Sequence, residues 1–139
     1  MNDYLRDLAT QHQRAGIATT HVLIEDAAPA RILGFHSLAA AQLHLLALQA
    51  KDQRRLPRYP VPAARLARLA VDRKEQGKGL GASLLQDAVQ RCLALRAELG
   101  IRLLVVDALN QRAAAFYSLF GFRETGRHAL TLYLPLGKP

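Results

Sequence analysis

The stretch "VDRKEQGKGLGASLL", residues 71–85, places three glycines within five positions between two apolar runs. Gly77, Gly79 and Gly81 alternate there with a lysine and a leucine. Glycine lets the backbone approach a ligand without a Cβ clash, and the first N–H groups of a helix have no internal partner. A glycine-rich turn that opens a helix is therefore typical of a phosphate-binding loop. The spacing of the neighbouring residues then decides which phosphate the loop holds.

Two common phosphate loops fit this stretch poorly. A nucleoside-triphosphate loop needs Lys-Ser or Lys-Thr after its last glycine, whereas Ala82-Ser83 follows Gly81. The dinucleotide pattern Gly-x-Gly-x-x-Ala is matched by Gly77, Gly79 and Ala82. However, the insertion "DRKEQ" separates this match from the preceding strand, and the remaining chain is too short for the further strand–helix units of that fold. A third pattern, Gln-x-x-Gly-x-Gly, is filled by Gln76, Gly79 and Gly81.

Periodicity along the chain predicts a mixed α/β sheet in a single domain spanning residues 1–139. The apolar spacing and the turn residues predict the following elements, in order: a helix at 2–15, a hairpin of strands at 17–26 and 31–43, a short helix and proline-bounded loop within 47–60, a strand at 63–71, a long helix from Gly79 to Leu99, a strand at 101–109, a helix at 110–120 capped by Asn110, and a strand within 128–134. The strand–helix–strand unit at 63–109 is expected to form a right-handed parallel crossover.

Composition narrows the class of protein. The formal net charge is +8, and a surface of that charge attracts polyanions such as nucleic acid. No apolar run is long enough to span a bilayer, and the N-terminus has no signal-peptide pattern, so we expect a cytoplasmic protein. The lone cysteine, Cys92, lies on the apolar stripe of the long helix, which favours core packing over catalysis. The histidines have no metal-ligand spacing, so no metal is expected.

The loop and its surroundings resemble the GNAT superfamily of N-acetyltransferases. The resemblance rests on "RLARLAVDRKEQGKGLGASLLQDAVQRC" and "LVVDALNQRAAAFYSLFGF", which together cover residues 65–92 and 104–122. It implies a GNAT fold, a mixed and mostly antiparallel sheet with a central parallel crossover and flanking helices. It also implies that acetyl-coenzyme A binds along the end of one strand, the loop and a later helix, at Leu69, Ala70, Val71, Arg73, Gln76, Gly77, Lys78, Gly79, Leu80, Gly81, Asn110 and Phe116.

The N-terminal half is similar to one branch of this family, the toxins of toxin–antitoxin pairs. The segment "LPRYPVPA" at 56–63 is the most characteristic part of that similarity outside the loop. The resemblance implies acetylation of the α-amino group of aminoacyl-tRNA, a block of translation, neutralisation by a ribbon–helix–helix antitoxin and a homodimer. Toxins of this branch begin with a short strand that has no counterpart in the sequence from Met1 onward, so either the true start lies upstream or the protein lacks this edge strand.

Tyr117 matches the catalytic tyrosine of the family. Its phenol is an O–H donor with an ordinary pKa near 10, which suits protonation of a leaving thiolate. An α-amine titrates near 7.7–8.0, so the substrate needs no dedicated protein base near neutral pH and water can take the proton. His36 is the one candidate base in the chain, although a histidine within a strand is more often structural.

The basic residues are candidates for contacts with tRNA phosphates. The densest group surrounds the proline-bounded loop, and the full set is Arg14, Lys51, Arg54, Arg55 and Arg58. Arg65 and Arg68 can join them if their strand turns them outward.

Two other functions share part of this pattern. The first is an ordinary GNAT enzyme that acetylates a small amine or a protein N-terminus, which needs the loop and the tyrosine but not the basic residues. The second is a catalytically inactive protein that binds acetyl-coenzyme A. An intact loop together with Tyr117 argues against the second.

Overall fold

A computed structural model describes residues 18–25, 27–56, 60–126 and 130–137. The helix predicted at 2–15 lies outside these residues. Within these ranges the structure has six strands: β1 Thr19–Glu25, β2 Ala28–Leu43, β3 Val61–Val71, β4 Leu103–Asp107, β5 Arg123–Glu124 and β6 Thr131–Pro135. The α-helices of the described residues are α1 Ala50–Gln53, α2 Leu80–Leu99 and α3 Gln111–Leu119. The 3-10 turn Leu45–Ala47 precedes α1, and the 3-10 turn Arg73–Glu75 precedes α2.

The long helix α2 ends where the sequence predicts. Gly100 follows its last residue with a φ of +66°, a conformation that L side chains rarely adopt. The N–H of Gly100 donates to the carbonyl of Arg96 at 3.0 Å, which closes the last turn. The glycine thus stops the helix and lets the chain turn toward β4.

The first two strands form the predicted antiparallel hairpin. Their register runs from Thr19 opposite Leu38 to Glu25 opposite Ala28, with irregular pairing beside Ile24. Strand β2 begins three residues earlier than the sequence predicts, at Ala28 rather than at residue 31. The irregular pairing near the turn takes up the extra residues of β2 that lie opposite the end of β1.

The six strands follow the order β1-β2-β3-β4-β6-β5. Strands β3 and β4 are neighbours, and α2 connects them, which is the predicted strand–helix–strand unit. Strand β6 pairs antiparallel with both β4 and β5. The sequence did not predict β5, because a strand of two residues has no alternating pattern to detect.

The described residues group into two compact units. The first holds 18–25, 27–40 and 66–90, so it contains the hairpin, the end of β3, the glycine loop and the start of α2. The second holds 41–56, 60–65, 91–126 and 130–137. The second unit has an apolar core that joins the chain before β3 to β3, β4 and β6 through Leu48, Val61, Ala63, Leu103, Val105 and Tyr133.

Strand β2 approaches β3 closely in the first unit. A Cβ added at Gly34 would lie 2.7 Å from the carbonyl oxygen of Ala70 and 2.8 Å from Cδ1 of Leu84. Only glycine fits between these neighbours without displacing backbone. This contact fixes the end of β3, which leads directly into the glycine loop.

Candidate functional site

The glycine loop joins the end of β3 to the start of α2 through a short capped turn. Asp72 caps the Arg73–Glu75 turn, accepting a hydrogen bond from the N–H of Lys74 at 3.0 Å. Gly77 has a φ of +84° and Gly79 a φ of +77°. Both glycines therefore adopt the left-handed conformation, which a residue with a Cβ adopts only under strain.

The start of α2 presents unpaired backbone donors. The N–H of Ser83 donates to the carbonyl of Gly79 at 3.2 Å, so the helical bonds begin only after the N–H groups of residues 80–82. The first turn of the helix contains no acidic residue. A Cβ at Gly77 or Gly79 would meet nothing within 4 Å, so the backbone of the loop lies open. These features fit an anion such as a pyrophosphate.

The cation nearest the glycines already has a partner. Lys78 Nζ donates to Glu75 Oε2 at 2.6 Å, and Arg31 Nη2 bonds the other oxygen of the same carboxylate. The hydrogen bond from Lys78 is the main reason that the pKa of Glu75 is lowered, and it outweighs the effect of burial. The donors that remain available are therefore the backbone N–H groups of the loop and the exposed side chain of Arg73.

The predicted coenzyme residues upstream of the loop lie beside it. Leu69, Ala70 and Val71 form the half-buried end of β3, and Arg73 and Gln76 are exposed. All of them belong to the first unit, together with the loop residues up to Gly81. The structure thus brings together the predicted coenzyme residues of the strand and the loop.

Tyr117 lies on α3 in the second unit, together with Asn110 and Phe116. Asn110 caps the helix as predicted, because its Oδ1 accepts from the N–H of Ala113 at 2.9 Å. The Tyr117 ring is 7% exposed and meets Phe116 edge-on at 5.2 Å between centroids and Phe122 at 5.5 Å. Burial raises the pKa of Tyr117 above its ordinary value of 10.0, so the phenol keeps its proton throughout the neutral range.

Of the predicted basic residues, three lie within the described chain. Lys51 belongs to α1, Arg54 and Arg55 follow it, and all three are exposed. Arg14 and Arg58 lie outside the described residues. Of the two further candidates, Arg65 is half-buried and paired with Asp107, whereas Arg68 is exposed.

A cavity beside α1 contains arginines that the sequence did not single out. Its volume is about 510 Å³, and its lining consists of Asp52, Arg54, Arg55, Leu56, Arg102, Arg123, Pro135 and Gly137. Arg102 precedes β4 and Arg123 begins β5, so only the sheet brings them beside α1. No local motif marks such a cluster, because its members lie far apart in the chain; Asp52 and Arg123, for example, are 71 positions apart.

The candidate base His36 is fully buried on β2. Its Nε2 lies 2.7 Å from Oδ2 of Asp87 on α2, and its ring packs 5.1 Å from that of His21 on β1. A histidine without solvent access and already bonded to a carboxylate holds the strand and the helix of the first unit together.

Cys92 is fully buried in the second unit, as core packing requires. Burial raises the pKa of its thiol to about 11, which keeps it protonated and unreactive. Within the ranges that the structure describes, no three histidine, cysteine or acidic side chains cluster as a metal site would require. None of the described helices is both long and apolar enough to cross a membrane.

Comparisons with known proteins agree with this geometry. The family model of the acetyltransferase (GNAT) domain matches residues 18–124. A tRNA-acetylating toxin of Mycobacterium tuberculosis is 39% identical over 134 residues, which cover 96% of this chain and 78% of the relative. The solved structure of AtaT complexed with acetyl-methionyl-tRNAfMet has a TM-score of 0.89 at 29% identity and covers 96% of this chain and 80% of its own.

A second similar structure was solved with an antitoxin segment and acetyl-coenzyme A bound. It is a tyrosine-to-phenylalanine mutant of the AtaT toxin, bound to the C-terminus of the antitoxin AtaR and to acetyl-coenzyme A. Its TM-score is 0.78 at 28% identity, and the match covers 97% of this chain and 78% of that one.

Proposed function

Because this chain belongs to the GNAT family of acetyltransferases, we propose that it acetylates the α-amino group of aminoacyl-tRNA with acetyl-coenzyme A and thereby blocks translation. The observation that carries the acetyl transfer is the open glycine loop at the start of α2, with its two left-handed glycines. The substrate class is supported by the toxin relative, which resembles the chain over 96% of its length.

The loop is the proposed binding site of acetyl-coenzyme A, which supplies the acetyl thioester. The N–H groups at the start of α2 donate hydrogen bonds to the pyrophosphate, and the positive end of the helix dipole favours its charge. Gly77 and Gly79 keep the backbone open for this contact. Leu69, Ala70 and Val71 at the end of β3 are the proposed backbone partners of the pantetheine arm, and Asn110 and Phe116 are proposed contacts from α3.

Tyr117 is the proposed general acid. Its Oη holds a proton at neutral pH, because burial among Phe116 and Phe122 raises the pKa of the phenol. A buried O–H group is a suitable donor to a leaving group that acquires negative charge in the reaction. The family tyrosine and this buried position support the same assignment.

The acceptor amine needs no base from this chain. An α-amino group with a pKa near 7.7–8.0 is substantially neutral at physiological pH, and water can take its proton. The burial of His36 against Asp87 supports this proposal, because the side chain has no route to a substrate in its present position.

The proposed partners follow from the same relatives. Lys51, Arg54 and Arg55, with Arg14 and Arg58, are the proposed contacts to tRNA phosphates. A ribbon–helix–helix antitoxin is the proposed neutralising partner, since AtaT binds the C-terminus of its antitoxin AtaR. We further propose that the toxin acts in the cytoplasm, where charged tRNA is found, as a homodimer.

Mass spectrometry of the aminoacyl adenosine tests the function. The protein is incubated with acetyl-coenzyme A and a set of charged tRNAs, and the 3′ end is released by nuclease. We expect an acetyl group on the α-amine of at least one aminoacyl adenosine. Absence of acetylation on every charged tRNA would contradict the function, and acetylation of small amines or peptides alone would indicate an ordinary GNAT enzyme.

The substitution Tyr117→Phe tests the proton donor. Because it removes only the hydroxyl, we expect the rate of acetylation to fall about 100-fold or more while acetyl-coenzyme A still binds. Single-turnover kinetics measure the rate, and calorimetry measures the binding. An unchanged rate would show that Tyr117 is not the acid.

A further inference from the structure

The arginine-lined cavity of the second unit has an excess of positive charge with no internal counterpart. Four arginines and one aspartate line it, which gives a formal charge of 4 − 1 = +3. The carboxylate of Asp52 is already committed, because Oδ1 bonds Arg123 and Oδ2 accepts from the Tyr133 hydroxyl at 2.5 Å. Among the residues that line the cavity, no acidic side chain remains for the other three arginines.

Buried Asp52 positions α1, which two of these arginines directly follow. Hydrogen bonds from Arg123 and Tyr133 tie it to β5 and β6, and the Tyr133 hydroxyl in turn accepts from the N–H of Gln49 at 2.9 Å. These bonds hold both Asp52 and Gln49, the residue that precedes α1, against β5 and β6. Arg54 and Arg55, which follow directly, extend from an anchored helix to line the cavity.

Arg102 enters the cavity with an unsatisfied donor. Its backbone is held in place, because its N–H donates to Pro62 at 2.9 Å and its carbonyl accepts from Leu136 at 2.9 Å. Its Nε is buried and has no hydrogen-bond partner among the described residues. A buried donor without a partner is costly, so Arg102 is a lining arginine whose guanidinium keeps unused hydrogen-bonding capacity.

These observations point to one ligand chemistry. We propose that the cavity is a binding site for a phosphate group of the RNA backbone, in which Arg102, Arg54 and Arg55 donate to the phosphate oxygens. Guanidinium groups match phosphate in a bidentate geometry. The volume of about 510 Å³ accommodates a phosphate with its flanking sugar. The RNA assignment rests on the proposed function.

The composition of the cavity favours a backbone phosphate over a free nucleotide. Its described lining has no aromatic ring and no amide side chain that could recognise a base. Contacts to phosphate alone position a nucleic acid without reading its sequence. The exposed Lys51 on α1 extends the positive surface beyond the cavity. A polyanion can contact such an extended surface, whereas a small ligand does not need it.

Binding of uncharged tRNA at several salt concentrations tests the site in the full-length protein. Arg102→Gln is expected to weaken binding on the order of tenfold and to reduce the slope of log K against log salt by about 0.9, the value for one lost phosphate contact. Arg54→Gln and Arg55→Gln, at exposed positions where folding is not at risk, are expected to reduce the slope similarly. Arg91→Gln, an exposed arginine on α2, is the matched control.

Further outcomes distinguish an RNA phosphate from free phosphate as the ligand. They also distinguish a failure of the proposed site from a failure of the proposed function. Suppose that inorganic phosphate raises the melting temperature of the wild type but not of the arginine variants, while the variants bind tRNA as the wild type does. That result would overturn the RNA assignment and indicate a free phosphate. Unchanged tRNA affinity and slope in all three variants would overturn the site, even when the wild type acetylates aminoacyl-tRNA. If the wild type binds tRNA through these arginines but acetylates none, the proposed function fails while the site stands.

Discussion

The glycine loop and the arginine-lined cavity are both suited to anions, but they achieve this by different means. In the loop, Glu75 pairs with both Lys78 and Arg31, and the donors that face no partner within the helix are backbone N–H groups at the start of α2. In the cavity, the carboxylate of Asp52 occupies Arg123, while three arginines keep their guanidinium donors. We therefore expect backbone donors to set the affinity of the loop for its anion, and side-chain charge to set that of the cavity.

The substitution expected to distinguish the loop from the cavity most strongly is at a loop glycine, Gly79. Gly79→Ala places a Cβ on a residue with a φ of +77°, where strain costs about 1–2 kcal/mol. Because no atom lies within 4 Å of the new Cβ, the effect comes from the backbone, which relaxes and moves its N–H groups. We expect the KM for acetyl-coenzyme A to rise on the order of tenfold, with tRNA affinity unchanged.

Gly126→Ala is the matched control for this substitution. Its φ lies outside the left-handed region, and its added Cβ would make ordinary contact at 4.0 Å with the carbonyl of Ala47. In steady-state kinetics, the Gly126→Ala variant is expected to have the wild-type KM for both acetyl-coenzyme A and aminoacyl-tRNA. Equal effects of the two alanines would contradict a special role for the left-handed backbone.

An intermediate effect, on stability, is expected at the hydrogen bond between Tyr133 and Asp52 beside the cavity. Tyr133→Phe removes the hydroxyl that donates to Asp52, which lowers the free energy of unfolding by about 1–3 kcal/mol. Burial raises the pKa of Asp52, but the bonds from Arg123 and Tyr133 outweigh it and leave the pKa below 3.8. The stabilisation from Asp52 is therefore complete above about pH 3.8 and is lost as the pH falls further.

Denaturant titrations over a range of pH measure this effect. The difference between wild type and Tyr133→Phe is expected to be largest near neutral pH and to shrink as the pH falls below 3.8 and through the lowered pKa of Asp52, where its carboxylate becomes protonated. A difference that stays constant down to the acid transition would indicate that the hydroxyl contributes through packing instead.

The smallest effect is expected from the loop lysine. Lys78 is 61% exposed and already paired with Glu75, and such pairs contribute little. We expect Lys78→Gln to raise the KM for acetyl-coenzyme A less than about threefold, below the effect of Gly79→Ala. A larger loss than at Gly79 would show that charge, and not backbone, governs the loop.

The sequence predicts the loop well because its signal is local. Each feature that marks it acts within a few positions: the glycine spacing, the apolar repeat of α2, and the capping residues Asn110 and Gly100. The structure confirms the helix ends that these capping residues predict. The GNAT fold and the relation to toxins are confirmed through motifs of the same local kind. The assignment of individual coenzyme and tRNA contacts stays a prediction.

The cavity could not be predicted, because strand pairing assembles it. Arg54 and Arg55 were visible as a basic cluster, but Arg102 and Arg123 reach them only through β4 and β5. Strand β5 has two residues and no detectable period. Asp52 is an acidic residue in a basic segment, and only its burial against Tyr133 reveals it as an anchor.

One measurement tests the separation of the two regions most directly: two-substrate kinetics of aminoacyl-tRNA acetylation for Gly79→Ala and Arg102→Gln. We expect Gly79→Ala to raise only the KM for acetyl-coenzyme A and Arg102→Gln to raise only the KM for aminoacyl-tRNA. If either variant changes both constants equally, or if the effects are exchanged, the assignment of one anion to each region is wrong.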